Sequence, residues 1–123
     1  MKIFIGLFLI AHGLMHASYL TPKPADPNYP FDFTKSWFAS LAGDISKPIG
    51  MALAVSVTMS FIFAGLGLLG VPGLESTWKM FITTGALLSV ILLALYWHPW
   101  LSLGFVINAV LLYGIYKLKW NWN

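Results

Sequence analysis

Four apolar stretches without an interior charge make up most of this chain of 123 residues. They cover residues 2–20, 48–70, 79–97 and 100–118, and each is close to the ~20 residues that an α-helix needs to cross a bilayer. Only 9% of the residues are charged, against about 25% in soluble domains. Because a segment in lipid must satisfy its own backbone hydrogen bonds, these stretches are predicted to be helices. The sequence therefore predicts an all-α membrane protein with a single transmembrane domain over residues 1–123.

The lengths of the connections indicate how the four predicted helices are arranged. Residues 71–78 and 98–99 are short connections, which place successive helices side by side, whereas residues 21–47 form a long loop. Short connections between apolar helices favour an antiparallel bundle. We therefore predict an antiparallel four-transmembrane-helix bundle with one long extracytoplasmic loop.

The long loop divides into two parts of different character. The segment 21–30 contains four prolines, which exclude a regular helix because proline fixes φ and lacks a backbone donor. In the second part, Asp32 or Thr34 is predicted to cap a short helix. Residues Trp37, Phe38 and Leu41 would share one face of it. We expect this helix to lie in the membrane interface over the mouth of the bundle.

The lysines suggest an orientation in the membrane. With four spans both termini lie on one side, which then holds Lys2, Lys117 and Lys119 next to the bilayer. The loop lysines are accompanied by three aspartates, but carboxylates count little in the positive-inside rule. We predict a multi-pass protein of the cytoplasmic (inner) membrane with both termini cytoplasmic. Trp120 and Trp122 are predicted to anchor the C-terminus at the interface.

Polar residues inside the apolar stretches point to a candidate site. His12 and His16 lie one helical turn apart in the first stretch, and ionisable residues within a membrane span are functional candidates. At ~1.5 Å per residue, His12 and Asn108 both lie about 12 Å below the outer end of their helices. Ser89 and Ser56 fall at a similar depth. This predicts one polar layer, with His98 at its surface end and with Tyr29 and Asp32 closing the mouth.

Small and aromatic residues predict further details of the packing. The second stretch carries a small-residue stripe at i+4 spacing, namely Ala52, Ser56, Ser60 and Ala64. Helices in lipid associate through such residues, so we expect this stripe to face its neighbours. The segment Tyr96-Trp97-His98-Pro99-Trp100 joins the last two stretches, and its aromatic residues are predicted to form an interfacial belt.

The candidate site residues are His12, His16, His98 and Asn108, and several chemistries remain open for them. One hypothesis is that the histidines serve only as interhelical hydrogen-bonding groups. A metal site would need His98 to approach His16, and a haem would need one or two axial histidines. A quinone could accept hydrogen bonds at its carbonyl oxygens from a cavity lined by such side chains. The absence of cysteine excludes thiolate chemistry and cysteine-ligated clusters.

Surface composition bears on the partners of the chain. The seven basic residues are scattered and form no basic run with interleaved aromatics, which argues against nucleic acid. Little extramembrane surface is left for soluble substrates, while the outer helix faces carry bulky apolar side chains. We therefore expect the lipid bilayer and other membrane subunits as partners. The prediction is an accessory subunit of a larger respiratory or photosynthetic membrane complex; this favours a non-enzymatic role and leaves catalysis open.

Five sequence segments support a resemblance to a known family. They resemble a group of small bacterial membrane proteins that is similar to the DoxX-like four-transmembrane-helix family, and they are His12-Gly-Leu-Met-His16, Thr21-Pro-Lys-Pro, Tyr29-Pro-Phe-Asp32, Ser36-Trp37 and Trp97-His98-Pro99-Trp100. The resemblance implies a four-helix fold. Some DoxX relatives are linked to thiosulfate oxidation with quinone as acceptor, or to membrane redox-stress complexes. The alternative function is therefore a membrane redox protein that uses quinone at the layer of His12 and His16; the resemblance transfers no catalytic residue.

Overall fold

The computed structural model describes residues 1–121. Over that range its regular secondary structure is helical, without strands, and helices make up 72% of the chain. Helix α1 spans Lys2–His16 and continues as a 3₁₀ turn through Ala17–Leu20. The remaining α-helices are α2 (Trp37–Ala42), α3 (Ser46–Leu68), α4 (Trp78–Leu95) and α5 (Ser102–Tyr116). Trp122, which belongs to the predicted C-terminal anchor, lies outside the described residues.

Four helical segments of the described chain are long and apolar enough to cross a membrane: Lys2–Leu20, Trp37–Leu68, Trp78–Leu95 and Pro99–Tyr116. This confirms the prediction of four membrane-length helices and indicates a multi-pass membrane protein. The second segment is longer than predicted because α2 leads into α3 through a single 3₁₀ turn, Gly43–Ile45. The helix-forming region therefore begins before the predicted start at residue 48.

The order of helix packing leaves one side of the fold open. Helix α3 packs closely on α1 and on α4, and α4 packs on α5, whereas α1 and α5 barely approach each other. Helices α3 and α4 are accordingly the central pair, with α1 on the α3 side and α5 on the α4 side. A cleft between α1 and α5 follows from this order.

Glycines allow the closest helix contacts. A Cβ atom added at Gly13 of α1 would lie 2.9 Å from Cβ of Phe61 and 3.0 Å from the carbonyl oxygen of Thr58, both on α3. One added at Gly65 of α3 would meet the carbonyl oxygen of Gly6 at 2.5 Å. Without a hydrophobic driving force between helices in lipid, such close approach supplies the packing energy. These contacts fix α1 on α3.

The predicted small-residue stripe on the second span is only half correct. Ser60 and Ala64 are buried, but Ala52 and Ser56 are exposed. The hydroxyls of Ser56 and Ser60 each donate to the carbonyl oxygen four residues earlier, as serines facing lipid or a neighbour commonly do. The buried face of α3 instead follows larger and smaller residues in alternation: Gly50, Ala54, Val57, Phe61, Ala64 and Leu68. The prediction was wrong for Ala52 and Ser56 because they do not lie on the face of α3 that packs on α1 and α4. That face includes large residues as well as small ones.

The short helix in the loop begins later than predicted. Its cap is Ser36, whose Oγ accepts from the backbone N–H of Ala39 at 3.0 Å. Asp32 does not cap a helix; its Oδ1 accepts from the N–H and the hydroxyl of Thr34, at 2.8 and 2.6 Å. That arrangement is a local turn, so the prediction of Asp32 or Thr34 as the cap was wrong.

Side chains of the loop dock it on the helices. The indole N–H of Trp37 donates to the carbonyl oxygen of Ala94 at 2.7 Å, and the hydroxyl of Ser46 donates to the carbonyl oxygen of Phe33 at 3.0 Å. Phe33 is buried and stacks on Tyr19, 4.7 Å between ring centroids. Residues 21–36 therefore lie outside the α-helices but are held against them.

Tyr96 departs from the predicted interfacial belt. It is 1% exposed and sits among the rings of Tyr19, Phe33 and Phe38. Its hydroxyl donates to the carbonyl oxygen of Ser46, which satisfies the polar end of an otherwise buried ring. Its neighbours Trp97 and Trp100 do remain exposed. Tyr96 is inside because the loop folds over it, a contact that no local pattern encodes.

Candidate ligand-binding cleft

A buried polar network joins α1 to the two helices on the far side of the fold. His12 and His16 lie four residues apart on α1 and therefore project from the same side of the helix. They meet Ser89 of α4 and Asn108 of α5, both of which are 0% exposed. We call these four residues the polar network.

Four hydrogen bonds connect the polar network into a closed ring. Nε2 of His12 lies 3.4 Å from Oδ1 of Asn108, and Nδ2 of Asn108 donates to Oγ of Ser89 at 2.8 Å. Oγ of Ser89 lies 2.7 Å from Nε2 of His16, and Nδ1 of His16 lies 3.0 Å from the carbonyl oxygen of His12. The network thus bridges the gap that the backbone leaves between α1 and the pair α4 and α5.

Two of the residues predicted for the polar layer lie elsewhere. Ser56 is exposed and bonds only within α3. His98 is half-buried, and its Nδ1 accepts from the backbone N–H of Trp100 at 3.1 Å, where it caps a 3₁₀ turn. His12, His16 and Asn108 therefore come together as the sequence suggested, together with Ser89, but His98 does not join them.

This geometry bears on the metal and haem alternatives. Within residues 1–121, no three side chains of His, Asp or Glu come close enough together to hold a metal ion. The separation of His98 removes the third ligand that the metal hypothesis required. For haem, Nε2 of both His12 and His16 already takes part in the hydrogen-bonded ring, so neither Nε2 atom is free to ligate iron while the ring holds. The residues present do not fit these two groups.

A cavity of about 170 Å³ adjoins the polar network between α1 and α5. Both histidines line it, and the remaining lining is apolar or aromatic: Met15, Phe31, Leu93, Trp100, Leu101, Leu103, Gly104 and Ile107. We call this cavity the lateral cleft. The loop closes one end of it through Phe31, and the start of the last span contributes Trp100. An apolar cavity with a few convergent polar groups is the usual form of a small-molecule site.

Most of the cleft lining was not predicted from the sequence. Phe31 and Gly104 carry no chemical signal of their own, and Trp100 was interpreted only as an interfacial residue. Their role depends on the separation of α1 from α5, which a single sequence does not report. The shared face of His12 and His16, and the depth of Asn108 opposite His12, were the parts that local spacing did predict.

A second cavity of about 460 Å³ lies beside the loop, bordered by Tyr19, Lys23, Asp32 and Lys47 among others. The Lys23 ammonium donates to the carbonyl oxygen of Tyr19 at 2.6 Å. Partial burial lowers the pKa of Lys23, against the opposing effect of Asp32. Burial tends to raise the pKa of Asp32, but the hydrogen bonds from Thr34 and the nearby lysines outweigh it and hold that pKa below its usual value. These groups stabilise the loop and do not contact the polar network.

Comparisons with protein-family models, with curated proteins and with solved structures find no match to this chain. The lateral cleft and the polar network are therefore the features of this chain that bear on its function.

Proposed function

We propose that this protein binds a lipid-soluble ligand of the quinone class, with the ring of the ligand in the lateral cleft next to His12 and His16. The observation that carries the proposal is the position of two buried imidazoles on the wall of an otherwise apolar cavity that lies between the first and last spans. Such a site provides apolar contact for a ring and a polar group to orient it.

The size of the cleft supports a ring-sized headgroup. Sites for drug-sized ligands have volumes of roughly 300–1,000 Å³, so a cavity of about 170 Å³ suits a single ring rather than a larger molecule. Because α1 and α5 are not packed on each other, an isoprenoid or alkyl tail would leave the cleft between them into the bilayer. Exposed apolar side chains such as Met15 and Leu103 would flank that tail.

The proposal includes an arrangement in the membrane. We propose that the spans form an antiparallel bundle in the cytoplasmic membrane, with both termini cytoplasmic and residues 21–47 on the outer side. The lysines next to the terminal spans, Lys2, Lys117 and Lys119, support this orientation through the positive-inside rule. The cleft would then face the outer leaflet. Kinship with the DoxX-like family is part of the same proposal.

Ligand binding is tested with the purified protein in lipid nanodiscs and a short-tailed quinone, decyl-ubiquinone, measured by titration of tryptophan fluorescence and by native mass spectrometry. The test variant is Gly104→Leu: even a Cβ at this position lies 2.7 Å from Cδ1 of Leu93, so a leucine fills the cleft. The matched control is Val110→Leu on the exposed side of the same helix. Binding that persists unchanged in Gly104→Leu, or is absent from the parent protein, contradicts the proposal.

A second candidate function is that of an accessory subunit of a larger membrane complex. It is favoured by the low burial of the first and last spans. Only 33% of an 18-residue stretch of the first span and 28% of such a stretch of the last span are buried within the chain. Other helices packing on these spans would cover them, and would enclose the cleft as well. Co-purification from native membranes in mild detergent tests this candidate; recovery of the chain alone, at full yield, contradicts it.

A further inference from the structure

We infer that the lateral cleft selects a ligand that donates a hydrogen bond, a phenol or hydroquinone hydroxyl on a lipid-soluble ring, over one that offers only carbonyl oxygens. This inference rests on the proposed function and specifies the chemical class of its ligand. It follows from the direction of the hydrogen bonds in the polar network.

A backbone group fixes the direction of the hydrogen bonds at one end of the polar network. The carbonyl oxygen of His12 can only accept, so Nδ1 of His16 carries a proton and donates to it. A charged imidazole is costly at this depth, and no carboxylate belongs to the network. His16 is therefore neutral, and its Nε2 is a bare acceptor.

The next two members follow from that assignment. Nε2 of His16 must accept from the hydroxyl of Ser89, which uses the only proton of that hydroxyl. Oγ of Ser89 is then left as an acceptor toward Asn108. The amide of Asn108 consequently presents Nδ2 to Ser89 and Oδ1 to His12, as the structure has it. The reverse amide orientation would bring two acceptors together.

The ring closes on His12 with a defined tautomer. Oδ1 of Asn108 needs a donor, so Nε2 of His12 carries the proton. A neutral imidazole with a proton on one nitrogen has a lone pair on the other. Nδ1 of His12 is thus an acceptor, and no described residue donates to it.

Nδ1 of His12 is also accessible. Among the described side chains, the polar atoms that are both fully buried and unpartnered belong to Tyr19 and Thr58. Since Nδ1 of His12 is unpartnered too, it must retain some exposed surface. Because His12 lines the lateral cleft, we place this atom on the wall of the cleft.

The consequence is a preference for donors. A hydroxyl placed at Nδ1 of His12 completes the polar network without changing it. A ligand carbonyl at the same place faces the lone pair of Nδ1 and finds no donor. To donate to it, His12 would have to carry its proton on Nδ1 instead, and its bare Nε2 would then face Oδ1 of Asn108. Losing that bond and leaving two acceptors face to face corresponds to at least about a tenfold difference in affinity.

The test compares two ring ligands of equal shape. The wild-type protein in nanodiscs is titrated with 4-dodecylphenol and with 4-dodecyltoluene, in which a methyl group replaces the hydroxyl, and affinities are expressed per concentration in the lipid phase. We expect the phenol to bind at least tenfold more tightly than the toluene, and more tightly than decyl-ubiquinone. Equal affinity of phenol and toluene overturns the inference, as does tighter binding of the quinone; the proposed function stands in either case when decyl-ubiquinone itself binds and Gly104→Leu weakens that binding. Failure of all three ligands overturns both.

A variant separates tautomer control from simple contact. Asn108→Leu removes the acceptor that fixes the proton on Nε2 of His12, so the imidazole can adopt either tautomer. We expect the phenol-to-quinone affinity ratio to fall toward one in this variant, while Ser56→Ala, an exposed serine outside the network, keeps the wild-type ratio. A ratio that is unchanged in Asn108→Leu contradicts the inference.

Discussion

Removal of one hydroxyl, in Ser89→Ala, should destabilise the fold far more than the loss of a serine elsewhere. The substitution removes the hydrogen bonds to His16 and from Asn108. Interhelical hydrogen bonds in membranes contribute about 0.6 kcal/mol each on average, which accounts for roughly 1.2 kcal/mol. It also leaves Nε2 of His16 and one N–H of Asn108 unsatisfied in a buried site, at about 1–3 kcal/mol. We therefore expect the free energy of unfolding to fall by about 2–4 kcal/mol.

The assay is the free energy of unfolding in bicelles by steric trapping, with Ser56→Ala as the matched control. Ser56 is also a serine on a membrane span, but it is exposed and donates to the carbonyl oxygen of Ala52 within its own helix. We expect its removal to change stability by no more than about 0.5 kcal/mol. Equal effects of the two substitutions would refute the reasoning.

A double-mutant cycle tests whether the four bonds act as a ring. Ser89→Ala combined with Asn108→Leu removes one of the orphaned groups that each single variant leaves behind. We expect the double variant to be less destabilised than the sum of the singles, by about 0.5–3 kcal/mol, as for residues in one network. Strict additivity would show that the bonds are independent and that the direction of the ring carries no energy.

Three further predictions concern packing, the loop and pH. Gly13→Ala should destabilise the protein by about 1–3 kcal/mol in the same unfolding assay, because its Cβ would meet Cβ of Phe61 at 2.9 Å. Tyr96→Phe should lower the free energy of unfolding by about 1 kcal/mol, because the carbonyl oxygen of Ser46 loses its buried donor. It should also speed proteolysis within residues 21–36. The pKa of Asp32 is lowered in the folded state, so its stabilisation of the loop is present above its ordinary value near 4 and is lost as pH falls through the lowered value; the protection factors of the loop amides, which correct for the intrinsic pH dependence of exchange, should therefore fall at acid pH.

Controls for these predictions come from the same chain. Ala11→Val adds volume on the exposed side of α1 and should be nearly neutral, and Tyr113→Phe removes a hydroxyl from an exposed ring of α5. For Asp32, the Asp32→Asn variant should lose the pH dependence of the loop protection factors. If the wild-type protein and Asp32→Asn respond to acid in the same way, the role assigned to Asp32 is wrong. If the loop of Tyr96→Phe is cleaved no faster than that of Tyr113→Phe, the role assigned to the Tyr96 hydroxyl is wrong.

The polar network has a structural and a functional side that the variants distinguish. It holds α1 to α4 and α5 where the backbones do not pack, and this accounts for stability whether or not a ligand binds. The lone pair on Nδ1 of His12 contributes nothing to that role. Ligand selectivity measured at equal stability is therefore the readout that belongs to function alone.

Local sequence signals predict the short helix of the loop but neither its cap nor the burial of Tyr96. The sequence predicted a capped helix near Trp37, and a helix exists there, but Ser36 caps it rather than Asp32 or Thr34. Several residues in this segment are suitable caps, so the local pattern does not distinguish Ser36 from Asp32 or Thr34; the helix is also held by a tertiary bond from the indole N–H of Trp37 to the carbonyl oxygen of Ala94. Likewise Tyr96 has the composition of an interfacial residue and is buried only because the loop covers it.

The four membrane-length helices could be predicted from the residues alone, since hydropathy and the need to satisfy backbone bonds in lipid act within each segment. The shared face of His12 and His16 could be predicted as well, because helical spacing is local, and so could the matching depth of Asn108. The packing of the helices was needed to show that α1 and α5 stay apart, that His98 caps its own turn, and that Ser89 links His16 to Asn108. Those outcomes depend on which helix faces fit together, and that energy arises between segments rather than within any one of them.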